Sequence, residues 1–142
     1  MILTPSQVLI RGFQAHTGLP NNDDGDLSDR SCKMFKKFYG MMPTTVAIVW
    51  SEIMTTSYLI PHLTKKDRTD KGFKSFLTAL HFLWAYPKNG ELLATAMGVS
   101  LRKVQGDNLW KWVKILAMLK QSKIVWPTDV YDLAILASQH IL

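Results

Sequence analysis

The chain has 142 residues, 47% hydrophobic and 20% charged, with a net charge of +6 and one cysteine. That is enough for one domain with a real core. The lone Cys32 excludes a disulfide framework, a thiolate zinc site and a CxxC redox pair, and it fits a reducing compartment. No window approaches the ~20 uninterrupted apolar residues of a membrane span, and Met1-Ile2-Leu3-Thr4-Pro5 lacks the basic start and apolar run of a secretory signal.

In chain order the pattern is helical almost throughout. Thr4-Pro5-Ser6-Gln7 predicts a helix start. Thr4 caps, Pro5 takes the first helical position, Gln7 completes a capping box, and Leu3 and Val8 form the hydrophobic staple. Gly12 is expected to stop this short helix. Residues 17–30 read as an acidic loop. Calcium is excluded there, because an EF-hand register with Gly25 at position six would put Pro20 and Ser31 where carboxylates are needed.

Ser28 can cap a helix over 31–39, with Met34, Phe35 and Phe38 on one face and Gly40 as its stop. Pro43 opens a helix to about residue 58. Val46, Val49, Trp50 and Ile53 follow its apolar stripe, and Pro61 is expected to end it. Residues 61–72 form a charged connection containing Lys65, Lys66, Arg68 and Lys71. The helix over 73–86 carries the stripe Phe73, Phe76, Leu77, Leu80, Leu83 and Trp84. A turn at 87–90, a short helix over 91–97 and a longer helix over 101–121 follow. Residues 124–126 are expected to form a brief strand, and Thr128 caps a last helix with Asp129 and Asp132 at its positive end.

The expected fold is therefore all-α, with six to seven helices. It divides into an N-terminal helix and acidic loop (1–29), a helical body (30–126) and a C-terminal helix (127–142). The charge divides the same way. Residues 1–29 hold one base and four acids, residues 30–123 sixteen bases against five acids (net +11), and residues 124–142 two acids and no base. A basic body of this kind suits a polyanion. The alternative is ordinary solubility charge on helix surfaces.

The most informative stretch runs from Glu91 to Val104 and holds Ala94-x3-Gly98-x5-Val104. This spacing suits a helix-turn-helix. Ala94 is small where two helices cross, Gly98 permits a tight turn, Val99 and Val104 pack beneath it, and Ser100 caps the second helix. That helix would enter a major groove. Ser100 suits a phosphate, Arg102 can fork onto guanine and Gln105 onto adenine, while Lys103, Lys111 and Lys114 suit phosphates. Two features depart from the pattern. Asp107 stands where an apolar residue is expected, and Gly106 interrupts the helix at ~1 kcal/mol relative to Ala. On a straight helix Asp107 would pair with Lys111, and Gln105 would fall in the apolar arc.

Phe73-Lys74-Ser75-Phe76-Leu77-Thr78-Ala79-Leu80-His81-Phe82-Leu83-Trp84-Ala85-Tyr86-Pro87-Lys88 is followed by Leu93-Ala94, Gly98-Val99-Ser100, Lys111-Trp112-Val113, Leu119 and Ile124-Val125-Trp126. Together these resemble the N-terminal part of Harbinger-type DDE transposases. Met34-Phe35-Lys36-Lys37-Phe38-Tyr39-Gly40, with Pro43 and Trp50, resembles that family's opening helices, so the likeness covers about residues 30–126. The resemblance implies a helical DNA-binding region that precedes an RNase H-like catalytic domain. After Trp126 the sequence departs from the family. Asp129 and Asp132 do not match its catalytic Val-Asp-Gly motif, so no catalytic residue carries over and no enzyme activity is expected.

His16, His62, His81 and His140 show no metal spacing, and no P-loop, GxGxxG or GxSxG occurs, so neither a cofactor nor a metal is expected. His81 is expected to flank its helix stripe, and Cys32 to be a small apolar side chain. Most of the five tryptophans should be core, with Trp110 exposed beside the basic face. Leu133, Ala134, Ala137 and Ile141 form a stripe that packs on the same domain or makes a dimer seam.

The sequence thus predicts a transposase-like module that captures duplex DNA, as a homodimer or with a second transposon protein, and without a membrane. It would work in the nucleus of a eukaryote or the cytoplasm otherwise. Lys65-Lys66-Asp67-Arg68 is a weak import-like cluster. The alternatives are a helical adaptor for an acidic partner and a nonfunctional transposon remnant.

Overall fold

A computed structural model describes residues 1–22, 24–85, 90–98, 100, 102 and 107–120. Among them are six α-helices and no strand: α1 (Pro5–Ala15), α2 (Asp29–Tyr39), α3 (Pro43–Thr55), α4 (Asp70–Ala85), α5 (Gly90–Met97) and α6 (Asp107–Lys120). Two 3₁₀ turns, Ile60–His62 and Lys66–Arg68, link α3 to α4. The expected turn at 87–90, the strand at 124–126 and the C-terminal helix with its apolar stripe lie, wholly or mostly, outside the described residues.

Local chemistry sets the helix starts. Thr4 and Gln7 form the reciprocal capping box, with Gln7 N–H donating to Thr4 Oγ1 at 3.2 Å and Thr4 N–H to Gln7 Oε1 at 2.9 Å. Ser28 Oγ accepts from Ser31 N–H at 3.2 Å, so α2 begins at Asp29, just after its cap. Gly40 ends α2 in the left-handed conformation, with φ 80°.

Two expected stops are displaced. Gly12 does not end α1, which continues to Ala15. The glycine is buried inside the helix, and a Cβ there would stand 2.2 Å from Phe35 Cε2. Gly12 therefore marks the crossing of α1 and α2, where the Tyr39 hydroxyl donates to the Gly12 carbonyl at 2.6 Å. α3 stops at Thr55, and Pro61 falls within the first 3₁₀ turn. The next position of the α3 stripe is the polar Ser57. The chain instead turns, with Leu59 N–H donating to Thr56 O, so that Leu59 is fully buried.

A single core joins all six helices. α1 belongs to it through Val8, Leu9 and Phe13, and Trp50 Nε1 ties α3 to the Met1 carbonyl at 2.9 Å. At the centre Trp50 meets Phe73, Phe76 and Trp112, with ring centroids 5.0, 5.4 and 5.5 Å away. Such aromatic contacts add about 0.5–1.5 kcal/mol each beyond burial. α1 and α4 run side by side in the same direction. Arg11 reaches Asp70 at the start of α4, and His16, just past α1, meets His81 three turns further along.

Trp84 and Trp110 depart from their expected places. Trp84 lies outside the core at 40% exposure. Trp110 is half-buried, edge-on to Phe82 with centroids 5.4 Å apart, because α6 turns it towards α4.

Candidate nucleic-acid interface

α5 presents Leu93, Ala94 and Met97 to the core, as the small-residue crossing requires. Gly98 follows in a turn with φ 62°, and its N–H donates to Thr95 O at 3.3 Å. Thr17 covers the helix end. Its backbone N–H donates to Ala96 O at 2.8 Å, and its hydroxyl lies within 3.1 Å of the Thr95 and Ala96 carbonyls. The last carbonyls of a helix have no i+4 amide within it, and Thr17 supplies donors to two of them. The loop after α1 thus holds the turn.

The expected DNA-contacting residues fall in three groups. Ser100 is exposed outside any helix, and Arg102 is exposed and helical. Lys103 and Gln105 lie outside the described residues, as do Val99, Val104 and Gly106. On α6, Lys114 is exposed, but Lys111 is half-buried. Its Nζ contacts Asp67 Oδ2 at 2.5 Å, so it is anchored inside the molecule rather than free to meet a phosphate, while the side chain of its expected partner Asp107 lies outside what the structure describes.

Asp67 is an organising residue that the sequence reading missed. Its Oδ2 accepts from Thr64 N–H at 2.7 Å, while Thr64 Oγ1 accepts from Asp67 N–H at 3.3 Å. The Thr64-x-x-Asp67 spacing is that of a reciprocal cap and was the available signal. Burial pushes the Asp67 carboxyl up, but the Lys111 hydrogen bond, the two Thr64 bonds and the Lys111 charge outweigh it and hold it below its ordinary value. A cleft of about 150 Å³ opens here, lined by Lys66 from the 3₁₀ turn, Lys71 and Ser75 from α4, and Lys111 from α6. Three lysines thus line one cleft with a single carboxylate, which bonds Lys111 alone among them, and exposed Lys65 stands next in sequence.

Basic residues also gather on α2. Arg30, Lys33 and Lys37 share a face at i, i+3 and i+7, and Lys36 stands beside them. All four are exposed. Among the described residues Lys33, Lys36 and Lys37 belong to no ion pair.

A groove of about 390 Å³ lies elsewhere. It runs between α1 and α4 over Ile10, Ala15, Phe73 and Leu77, and contains the 2.9 Å Arg11–Asp70 pair. It holds no convergent catalytic set.

His81 is buried rather than flanking. Its Nδ1 lies 2.7 Å from the Phe38 carbonyl, which can only accept, so Nδ1 carries the proton. His16 Nδ1 accepts from Gly18 N–H at 2.9 Å, and its Nε2 is buried without a partner among the described residues. Burial, and then the neighbouring His81, lower the His16 pKa to about 4. Burial also lowers that of His81, against the opposing Phe38 hydrogen bond. Cys32 is buried, and burial followed by Asp29 and Asp26 raises its thiol pKa, the opposite of an activated nucleophile. Among the described residues no three His, Cys, Asp or Glu side chains converge as a metal site, and no helix is long and apolar enough to cross a membrane.

Comparison with models of known protein families, with curated proteins and with solved structures finds no match.

Proposed function

We propose that the chain binds duplex DNA through its basic body, as a module similar to the N-terminal region of Harbinger-type DDE transposases. The observation that carries this reading is the cleft where Lys66 and Lys71 converge from two elements beside the Asp67–Lys111 pair. Its one acid, Asp67, is buried and bonded to Thr64 and Lys111. Lysines brought together against their mutual repulsion suit a phosphate backbone, where neutralisation releases counterions.

The Gly98 turn offers a second contact. Asp70 and His81 are separated by about 16 Å along α4 at ~1.5 Å per residue. The lysine cleft lies at the first end and the Thr17-held turn near the second. A duplex can touch both. In this reading the cleft and Lys114 hold phosphates, while Ser100, Arg102, Lys103 and Gln105 approach the groove. A lone module of this size binds weakly, so a second copy or a partner protein completes the assembly, in the nucleus of a eukaryotic host.

The test is fluorescence anisotropy of a labelled random duplex at low and physiological salt. Binding is expected to weaken with a log–log slope of about −0.9 per phosphate contacted. Lys66→Ala/Lys71→Ala should flatten that slope by about two contacts, and Arg102→Ala/Lys103→Ala should weaken binding further. Absence of binding at low salt overturns the reading. Salt-sensitive binding indifferent to both double variants discards these surfaces.

A further inference from the structure

Trp84 is the one tryptophan of the described four that faces solvent. Trp50 and Trp112 are fully buried, and Trp110 packs on Phe82. Trp84 is 40% exposed near the end of α4. Its ring is held on two sides. Nε1 donates to the Lys37 carbonyl at 3.0 Å, which satisfies its one polar atom. The indole also lies against Gly40, where a Cβ would stand 2.8 Å from Trp84 Cδ2 and Cε3. Only glycine lets the ring come down on the backbone there, and φ 80° favours glycine at the same position. The indole is therefore fixed in orientation, its polar edge used and one side lying on α2, with 40% of the residue's surface open to solvent.

The ground around it is cationic. Lys36 and Lys37 occupy the last turn of α2, just before Gly40, and Lys33 lies one turn back. None of the three is in an ion pair among the described residues. An oriented aromatic surface beside unpaired cations matches a single nucleic-acid strand, whose bases offer π-faces and whose phosphates offer charge. An intact duplex keeps its base faces stacked away and can use only the lysines.

We propose that Trp84 is a stacking seat for an unpaired nucleobase, with Lys33, Lys36 and Lys37 holding the adjoining phosphates of a single strand. The proposal rests on the nucleic-acid reading above but uses a different surface from the Lys66–Lys71–Lys111 cleft. A base on the indole is held by π-contact without edge hydrogen bonds, so sequence preference is weak.

The experiment uses the full chain with three probes: an oligothymidylate of about twenty nucleotides, an oligouridylate of the same length, and a random duplex. Binding is read by anisotropy and by quenching of tryptophan emission, with circular dichroism melts confirming that each variant folds. Oligothymidylate should quench the wild-type emission. Trp84→Ala should weaken its binding about tenfold while changing duplex binding less than about twofold. Trp84→Phe keeps a stackable ring, so it should bind within about threefold of wild type yet lose most of the quench. The two oligonucleotides distinguish DNA from RNA as the source of the strand. Oligothymidylate binding unchanged in Trp84→Ala, or a quench that persists in Trp84→Phe, overturns the stacking seat and leaves the duplex reading standing. Binding of duplex but neither single strand does the same. Failure of all three probes at low salt overturns both.

Discussion

His16 and His81, from the ends of different helices, meet edge to face with ring centroids 4.5 Å apart and planes at 80°. Phe38 closes the group, 4.3 Å from the His16 ring. Both imidazoles are neutral here. His16 uses Nδ1 as an acceptor, His81 uses Nδ1 as a donor, and a charge on either would be buried beside the other. The pair joins α1, α2 and α4 at the end where the Gly98 turn is held.

Stability should therefore depend on pH in the acid-to-neutral range. The folded pKa of His16 is about 4 against an ordinary 6.5, and that of His81 is also lowered. Between those limits the unfolded chain binds more protons. The stabilisation is fully present above 6.5 and is lost as pH falls towards 4. The loss from His16 is about 3 kcal/mol at most. Thermal melts across this range should show falling Tm, and His16→Asn, which keeps an acceptor for Gly18 N–H, should flatten the profile. A wild-type Tm constant over the window would contradict neutral burial.

Asp67→Ala should destabilise the fold by about 1–3 kcal/mol, since it leaves Thr64 N–H and Lys111 without their acceptor. The half-exposed Lys111 can turn to water, which limits the cost. A denaturant double-mutant cycle with Lys111→Met should give a coupling of at least about 0.5 kcal/mol. Because the Asp67 carboxyl is held below its ordinary value, its contribution is present above pH 3.8 and lost below it. Additive single effects would show that the contact contributes nothing to stability.

Gly12→Ala tests the crossing of α1 and α2. Alanine is the better helix former by about 1 kcal/mol. Its Cβ, however, would overlap the fully buried Phe35 ring. Overpacking should win, with a net loss of about 1–2 kcal/mol in urea unfolding. A more stable variant would mean that the ring yields freely.

Thr4→Ala removes the α1 cap and should cost about 1 kcal/mol, read as a lower urea midpoint at unchanged m-value. Because α1 lies in the common core, the whole transition should shift. A separate early transition of α1 would show that it unfolds on its own.

The all-helical class, the caps at Thr4 and Ser28, the stop at Gly40 and the α4 stripe from Phe73 to Leu83 were legible in the sequence. Each depends on residues within a turn or two of one another, so propensity, capping and periodicity settle them locally. The displaced stop at Gly12 and the early end of α3 were decided by packing, against Phe35 in one case and by burial of Leu59 in the other. For the candidate interface, local reading found the basic residues but not their partners. Spacing within α6 gave no sign that Lys111 is held by Asp67 from another element. His81 looked like a flank residue until α1 and α2 covered it, and Trp84 looked like core until Gly40 let it lie outside. Contacts between distant segments depend on how whole helices stack, and no spacing within one helix encodes that. Which lysines share a cleft, which histidines meet and which indole faces water follow from how the helices pack, over distances that local spacing does not reach.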